Sequence, residues 1–267
     1  MKVFYLLMFV TFIGCSTTFA QQADSVSGYF HSFDGASIYY ELHGKGEPVV
    51  LIHGFIVHSN TWKKTALYRQ LQREGYQVIL LDLRGNGLSD KPHQPEAYAN
   101  DAQARDVMAL MSFLKIKKYN AVGYSRGAII TARLLALDKH VRSAVLGGMG
   151  ADFTNPQWPR RLMFYDALMG KPVKELESMV KYVQSSGLDQ LALAYQQKEQ
   201  PSTSPKVLSK VKQSVLIICG TEDEDNGSAE QLANMFSHAD YKRVPGTHNT
   251  AASTKDFANE VIAFLKR

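Results

Sequence analysis

Gly123-Tyr124-Ser125-Arg126-Gly127 sets one hydroxyl between two glycines, with a short apolar run, Tyr119 to Val122, before it and an apolar stretch, Ala128 to Leu135, after it. A serine in G-x-S-x-G between a strand and a helix sits on a sharp turn, where a Cβ at either glycine would strike neighbouring backbone. Its hydroxyl then stands at the carboxyl end of a strand, and the N-terminus of the following helix favours developing negative charge. The bland counterpart is a buried N-cap serine. A serine hydroxyl is a poor nucleophile at neutral pH; it needs a base within hydrogen-bond reach, and the base needs an orienting acid. Among eight histidines, His248 lies in Pro245-Gly246-Thr247-His248-Asn249, between the strand-like Tyr241 to Val244 and the last helical pattern. It is the expected base. The acid is expected in Gly220-Thr221-Glu222-Asp223-Glu224-Asp225, after the apolar Val215 run. Asp223 is preferred, Asp225 is its main rival, and Asp152, just past the Ala144 run, is a third candidate.

Acyl transfer through such a set also needs N–H donors for the oxyanion. Ile52-His53-Gly54-Phe55 ends the apolar Val49 run. Gly54 permits a tight turn that would aim the Phe55 N–H at the reacting carbonyl, and the Arg126 N–H, directly after the nucleophile, would be the second donor. Loss of one such donor lowers turnover on the order of 10²–10³. His53 is expected to pack and orient this loop. The Arg126 side chain, bulky and charged, is open to either of two partners, a polar substrate or an acid of the protein itself.

These residues need an α/β frame. Val49 to Ile52, Val78 to Leu81, Tyr119 to Val122, Ala144 to Leu146 and Val215 to Ile218 are short continuous apolar runs, the pattern of strands buried on both faces of a parallel sheet. Gly28 to Phe33, Asp34-Gly35 and Ile38 to Leu42 suggest an opening antiparallel hairpin. Helical spacing falls over Thr61 to Glu74, Asp101 to Leu114, Ser228 to Phe236 and Thr254 to Leu265; Ser228 with Gln231 resembles a capping box. Alternation of strand and helix predicts right-handed crossovers. From 151 to 213 no buried-strand run occurs, prolines punctuate the chain, and Arg160 to Met169, Val173 to Gln184 and Leu188 to Lys198 read as helices. A small helical cap inserted into a core of 21–150 and 214–267 is expected. Its Trp158, Met163, Phe164, Tyr165 and Met169 either line an apolar pocket or pack the cap onto the body.

Taken in order, His53-Gly54-Phe55, Asp82-Leu83-Arg84-Gly85-Asn86-Gly87-Leu88-Ser89-Asp90, the Gly123 to Gly127 turn, Gly220 to Asp223 and Gly246-Thr247-His248 resemble a serine-type member of the α/β-hydrolase superfamily over Gly28 to Arg267. The resemblance implies that Asp82 to Asp90 is a structural loop beside the pocket. The short insertion suggests a small or medium acyl substrate, for which a carboxylic ester is the first expectation. Lactones, amides and C–C bonds remain alternatives, as does a ligand-binding protein with little turnover. No metal or organic cofactor is expected. Dehalogenases and epoxide hydrolases carry aspartate where this chain has Ser125, which disfavours both, and the Gly-Gly-Ser-Trp-Gly turn of proline iminopeptidases is missing. No G-x-G-x-x-G follows a first strand, which sets aside a dinucleotide site.

The chain has 267 residues, 45% hydrophobic and 21% charged, with 30 Lys+Arg against 25 Asp+Glu and a formal net charge of +5. The basic residues are scattered, so no nucleic-acid partner is expected. Met1-Lys2, the apolar Val3 to Ile13 and Thr18-Phe19-Ala20 read as a cleavable signal over 1–20. Export to the periplasm or medium is expected, with no stable membrane span in the mature chain. Ile13-Gly14-Cys15 keeps open a lipid anchor on Cys15. The other cysteine, Cys219, sits in a buried-strand pattern, so no internal disulfide is expected.

Overall fold

The structure, a computed structural model, describes residues 25–267; the expected signal over 1–20 and Cys15 lie outside the described residues. β1 (Ser25–His31) and β2 (Ser37–His43) pair antiparallel across the Asp34-Gly35 turn. β3 (Pro48–Ile52), α1 (Asn60–Lys63), α2 (Ala66–Arg73), β4 (Gln77–Leu81) and α3 (Ala102–Phe113) follow. Next come β5 (Tyr119–Tyr124), α4 (Arg126–Leu137) and β6 (Val141–Gly147). Four helices, α5 (Pro159–Leu168), α6 (Glu177–Ser185), α7 (Gln190–Lys198) and α8 (Pro205–Leu208), precede β7 (Ser214–Gly220). α9 (Ala229–Ala233), β8 (Ala239–Val244) and α10 (Lys255–Leu265) complete the chain.

The eight strands form one sheet in the order β1-β2-β4-β3-β5-β6-β7-β8. β2 runs antiparallel to β4, and every pair from β4 to β8 is parallel. This is the α/β-hydrolase fold expected from the strand runs and the opening hairpin. Parallel strands carry their carboxyl ends to one edge, so the loops after β3, β5, β7 and β8 converge there. The apolar runs are continuous because both faces are covered. Val50, Ile52, Ile79 and Leu81 share a core with Val107 and Leu110 of α3 and the length of α4. The alternate residues Val49, Leu51, Val78 and Leu80 face Leu67 and Leu71 of α2 and Phe257, Val261 and Phe264 of α10. Each such side chain contributes roughly 1.5–3 kcal/mol on burial.

Two helical expectations are corrected. Thr61 to Glu74 is not one helix. Thr65 leaves the helical region at ψ 157° and its hydroxyl accepts from the Tyr68 N–H, so it ends α1 and caps α2; a threonine hydroxyl that can serve as N-cap competes with helix continuation. Val173 to Gln184 opens as a 3₁₀ turn, Lys174–Leu176, before α6 begins. Ser228 and Thr254 cap α9 and α10 through the Gln231 and Phe257 N–H groups.

The helices between β6 and β7 hold a small core of their own, Leu168, Val183, Leu193 and Ala194, against which Phe55 and Ile56 of the loop after β3 pack. At the ends of that segment Phe153, Trp158, Leu208 and Val211 belong to the main core.

Candidate active site

The turn between β5 and α4 is as tight as the glycines imply. Ser125 has φ 54° and ψ −122°, a left-handed conformation that costs a non-glycine residue on the order of 1–3 kcal/mol. A Cβ on Gly127 would stand 2.1 Å from the Ile52 carbonyl oxygen, and one on Gly123 would stand 2.1 Å from the Gly127 carbonyl oxygen. β5, β3 and α4 therefore meet backbone to backbone beneath the serine.

The loops after β7 and β8 are locked together. The Thr221 N–H donates to the Val244 carbonyl at 2.8 Å and the Glu222 N–H to the Gly246 carbonyl at 3.0 Å. A Cβ on Gly220 would lie 2.1 Å from that same Gly246 oxygen. This contact delivers the acid to the imidazole. His248 Nδ1 lies 3.0 Å from Asp223 Oδ2 and 3.1 Å from Oδ1, and His248 Nε2 lies 2.9 Å from Ser125 Oγ. With Nδ1 donating to the carboxylate, Nε2 is free to accept the serine proton. The Asp223 side chain is 2% exposed and that of His248 20%, so the base reaches the cavity while its acid does not.

The rivals for the acid do not meet the imidazole, although Asp225 lines the same cavity as Ser125. Asp225 is 57% exposed and sits 3.7 Å from an Arg160 nitrogen. Asp152 is exposed in the 3₁₀ turn Ala151–Thr154. Neither bonds His248 among the described residues.

Gly54 brings the β3 loop against the serine: a Cβ there would be 3.6 Å from the Ser125 Cβ. His53 holds this loop. Its Nε2 accepts from the Leu83 N–H at 3.0 Å, so Nδ1 carries the proton and donates to the Gly54 carbonyl at 2.7 Å. Burial pushes the His53 imidazole down to about 4, which keeps it neutral in this role. Asn86 braces the next turn, donating to the Phe55 and Val57 carbonyls at 2.6 and 2.9 Å, and is itself held by Gln196 of α7 at 2.8 Å. The Arg126 N–H heads α4, where no intrahelical acceptor exists. Phe55, Ser125 and Arg126 line one cavity.

Tyr124 was not singled out by its sequence position. Its hydroxyl donates to the His248 carbonyl at 2.8 Å, and its ring lies 5.6 Å from the imidazole and 5.8 Å from Phe257. Asn226, also unforeseen, lies 3.4 Å from His248 Nδ1; because that nitrogen donates to Asp223, Asn226 gives its hydrogen to the Gly148 carbonyl, 3.3 Å away. Tyr124 is hidden because an aromatic residue at the end of a buried strand reads as core, and a lone asparagine in an acidic loop carries no signal.

A cavity of about 470 Å³ opens over Ser125 and His248. Trp158 and Phe164, two of the expected aromatic residues, line it together with Met179, Phe55 and Ile129. Tyr165 packs instead on the small helical core, and Met169 is exposed.

Residues 47–177 match the α/β hydrolase fold family. Over 111 residues the chain is 40% identical to a Synechocystis protein named putative non-heme chloroperoxidase, covering 41% of this chain and 39% of that one. Over 126 residues it is 36% identical to the human mesoderm-specific transcript homolog protein, covering 45% and 37%. The matched segment thus spans well under half the length of these curated relatives. Among solved structures, an esterase from Exiguobacterium antarcticum superposes with a TM-score of 0.75 at 20% identity over 91% of this chain and 100% of that one, a likeness of fold.

Proposed function

The chain belongs to the α/β-hydrolase superfamily, and we propose that it is a serine hydrolase that cleaves small or medium carboxylic esters through an acyl-enzyme. The hydrogen-bonded chain Ser125–His248–Asp223 supports this most directly. His248 Nε2 takes the Ser125 proton as the oxygen attacks the carbonyl carbon. Asp223 fixes the tautomer and stabilises the imidazolium. The Phe55 and Arg126 N–H groups receive the oxyanion. His248 returns the proton to the leaving alcohol, and a water repeats the sequence on the acyl-enzyme. On this reading the helices of 151–213 act as a cap that shields the acyl group, and the serine at the turn separates the chain from relatives that use an aspartate nucleophile.

p-Nitrophenyl acetate or butyrate is expected to turn over, a fluorophosphonate probe to label Ser125, and Ser125→Ala to abolish both. Labelling that persists in the variant overturns the assignment. Labelling of Ser125 without turnover across an ester panel would move the substrate to a lactone, amide or C–C bond. Failure of both would leave a ligand-binding protein. We also propose export of the chain, supported by the pattern of residues 1–20. The intact mass of the exported form reads cleavage before Gln21 against a diacylglyceryl group on Cys15.

A further inference from the structure

Among the described residues two arginines are buried, and their surroundings are opposite. Arg84, fully buried, is gripped by two carboxylates: Asp34 at 2.6 and 2.9 Å and Asp106 at 2.7 and 2.8 Å. Arg126 is 4% exposed and has no carboxylate in ion-pair range among the described residues. Its acceptors are two neutral amides. Nε and Nη2 donate to Gln103 Oε1 at 3.2 and 2.7 Å, and Nη1 donates to Gln200 Oε1 at 3.0 Å. The orientation of Gln103 is fixed, because its Nε2 donates to the Arg84 carbonyl at 3.0 Å. Three of the five N–H groups of a guanidinium are thereby used, and two remain.

The surroundings add positive charge. Arg126 and Arg161 both line the cavity over Ser125. Arg161 donates to the Gln197, Lys198 and Pro156 carbonyls, and its buried Nε has no acceptor among the described residues. Burial, and next to it the charge of Arg161, pushes the Arg126 guanidinium down to about 9, still cationic at neutral pH. The acids nearby serve other residues: Glu199 acts on Arg161, and Asp225 stands by Arg160. The Phe55 ring lies 5.9 Å from the Arg126 guanidinium carbon, but among the described residues its hydrogen-bond partners are neutral amides; a cation so buried is costly, and an anion supplied from the cavity offsets that cost. A carboxylate suits the planar fork of a guanidinium.

We propose that Arg126, flanked by Arg161, is a carboxylate-binding subsite, and that the preferred substrates are esters bearing a free carboxylate. This rests on the hydrolase reading of the same site and names its substrate class.

The test compares esters that differ only in that charge. Monomethyl succinate, glutarate and adipate are each assayed against their dimethyl esters, and 4-acetoxybutanoate against its methyl ester, which places the charge on the acyl or the alcohol side. The full-length protein is expected to show a kcat/KM at least tenfold higher for the charged member of at least one pair. Arg126→Gln is expected to cut that ratio at least tenfold, and Arg161→Gln at least threefold; the ratio cancels general losses of activity. Thermal melts check folding, and Arg161→Gln decides if Arg126→Gln does not fold. In parallel, glutarate and adipate are titrated into Ser125→Ala by calorimetry, where saturable binding lost on adding Arg161→Gln is expected. A ratio near one with no diacid binding overturns the proposal. So does a preference that survives in the folded variants, or an equal fall in both series, which would confine Arg126 to the oxyanion. Diacid binding with neither ester turnover nor fluorophosphonate labelling of Ser125 would keep the subsite and remove the hydrolase. Ester turnover without charge preference would do the reverse.

Discussion

Asp223 and Asp225 share a chemistry, a loop and a charge, and differ in whether water reaches them. Asp223→Asn is expected to lower kcat by about 10⁴ by spoiling the imidazole tautomer, whereas Asp225→Asn should change it less than about threefold; steady-state kinetics on one ester distinguishes them. His53 yields a pH prediction. Its folded pKa of about 4 lies below the ordinary 6.5. The unfolded chain therefore binds more protons between those values, and acid removes stability as pH falls through that window. Urea unfolding at pH 7.5 and pH 4.5 should show a loss of about 2–3 kcal/mol in the wild type that His53→Asn lacks. Ser125 and His248 were legible because glycines mark their turns. Asp223 was preferred over Asp225 only by spacing, since exposure is a tertiary property. The sequence allows Arg126 a polar substrate or an acid of the protein as partner, and no such acid pairs with it among the described residues.

Loops rather than helices present Ser125, Asp223 and His248, and hydrogen bonds tie these loops to one another. Tyr124 illustrates the coupling: it ends β5 and holds the carbonyl of a residue 124 positions later. Tyr124→Phe should lower kcat by about 3- to 10-fold, the worth of one hydrogen bond, with KM and melting temperature little changed. A rise in KM with constant kcat would place Tyr124 in binding instead. The parallel strands were readable because burial on two faces erases alternation. The break at Thr65 was not, because an apolar period continues through it and only the hydroxyl reveals the stop.

At the scale of the molecule, Arg84 fastens the opening hairpin to the parallel sheet by joining Asp34 of the β1–β2 turn, Asp106 of α3 and the Ala97 carbonyl. Arg84→Met strands two carboxylates, one of them fully buried, and should cost about 3–5 kcal/mol in urea unfolding. The α/β class and chain order of the strands were legible in the sequence. The placement of β4 between β2 and β3 was not, since no residue pattern encodes which strand neighbours which. The conformation of Ser125 bears on the whole fold as well. Folding alone would favour glycine there, so Ser125→Gly should melt about a degree or more higher than the parent while being inert toward esters. On the proposed reading, the strained turn trades durability of the fold for the position of one oxygen atom.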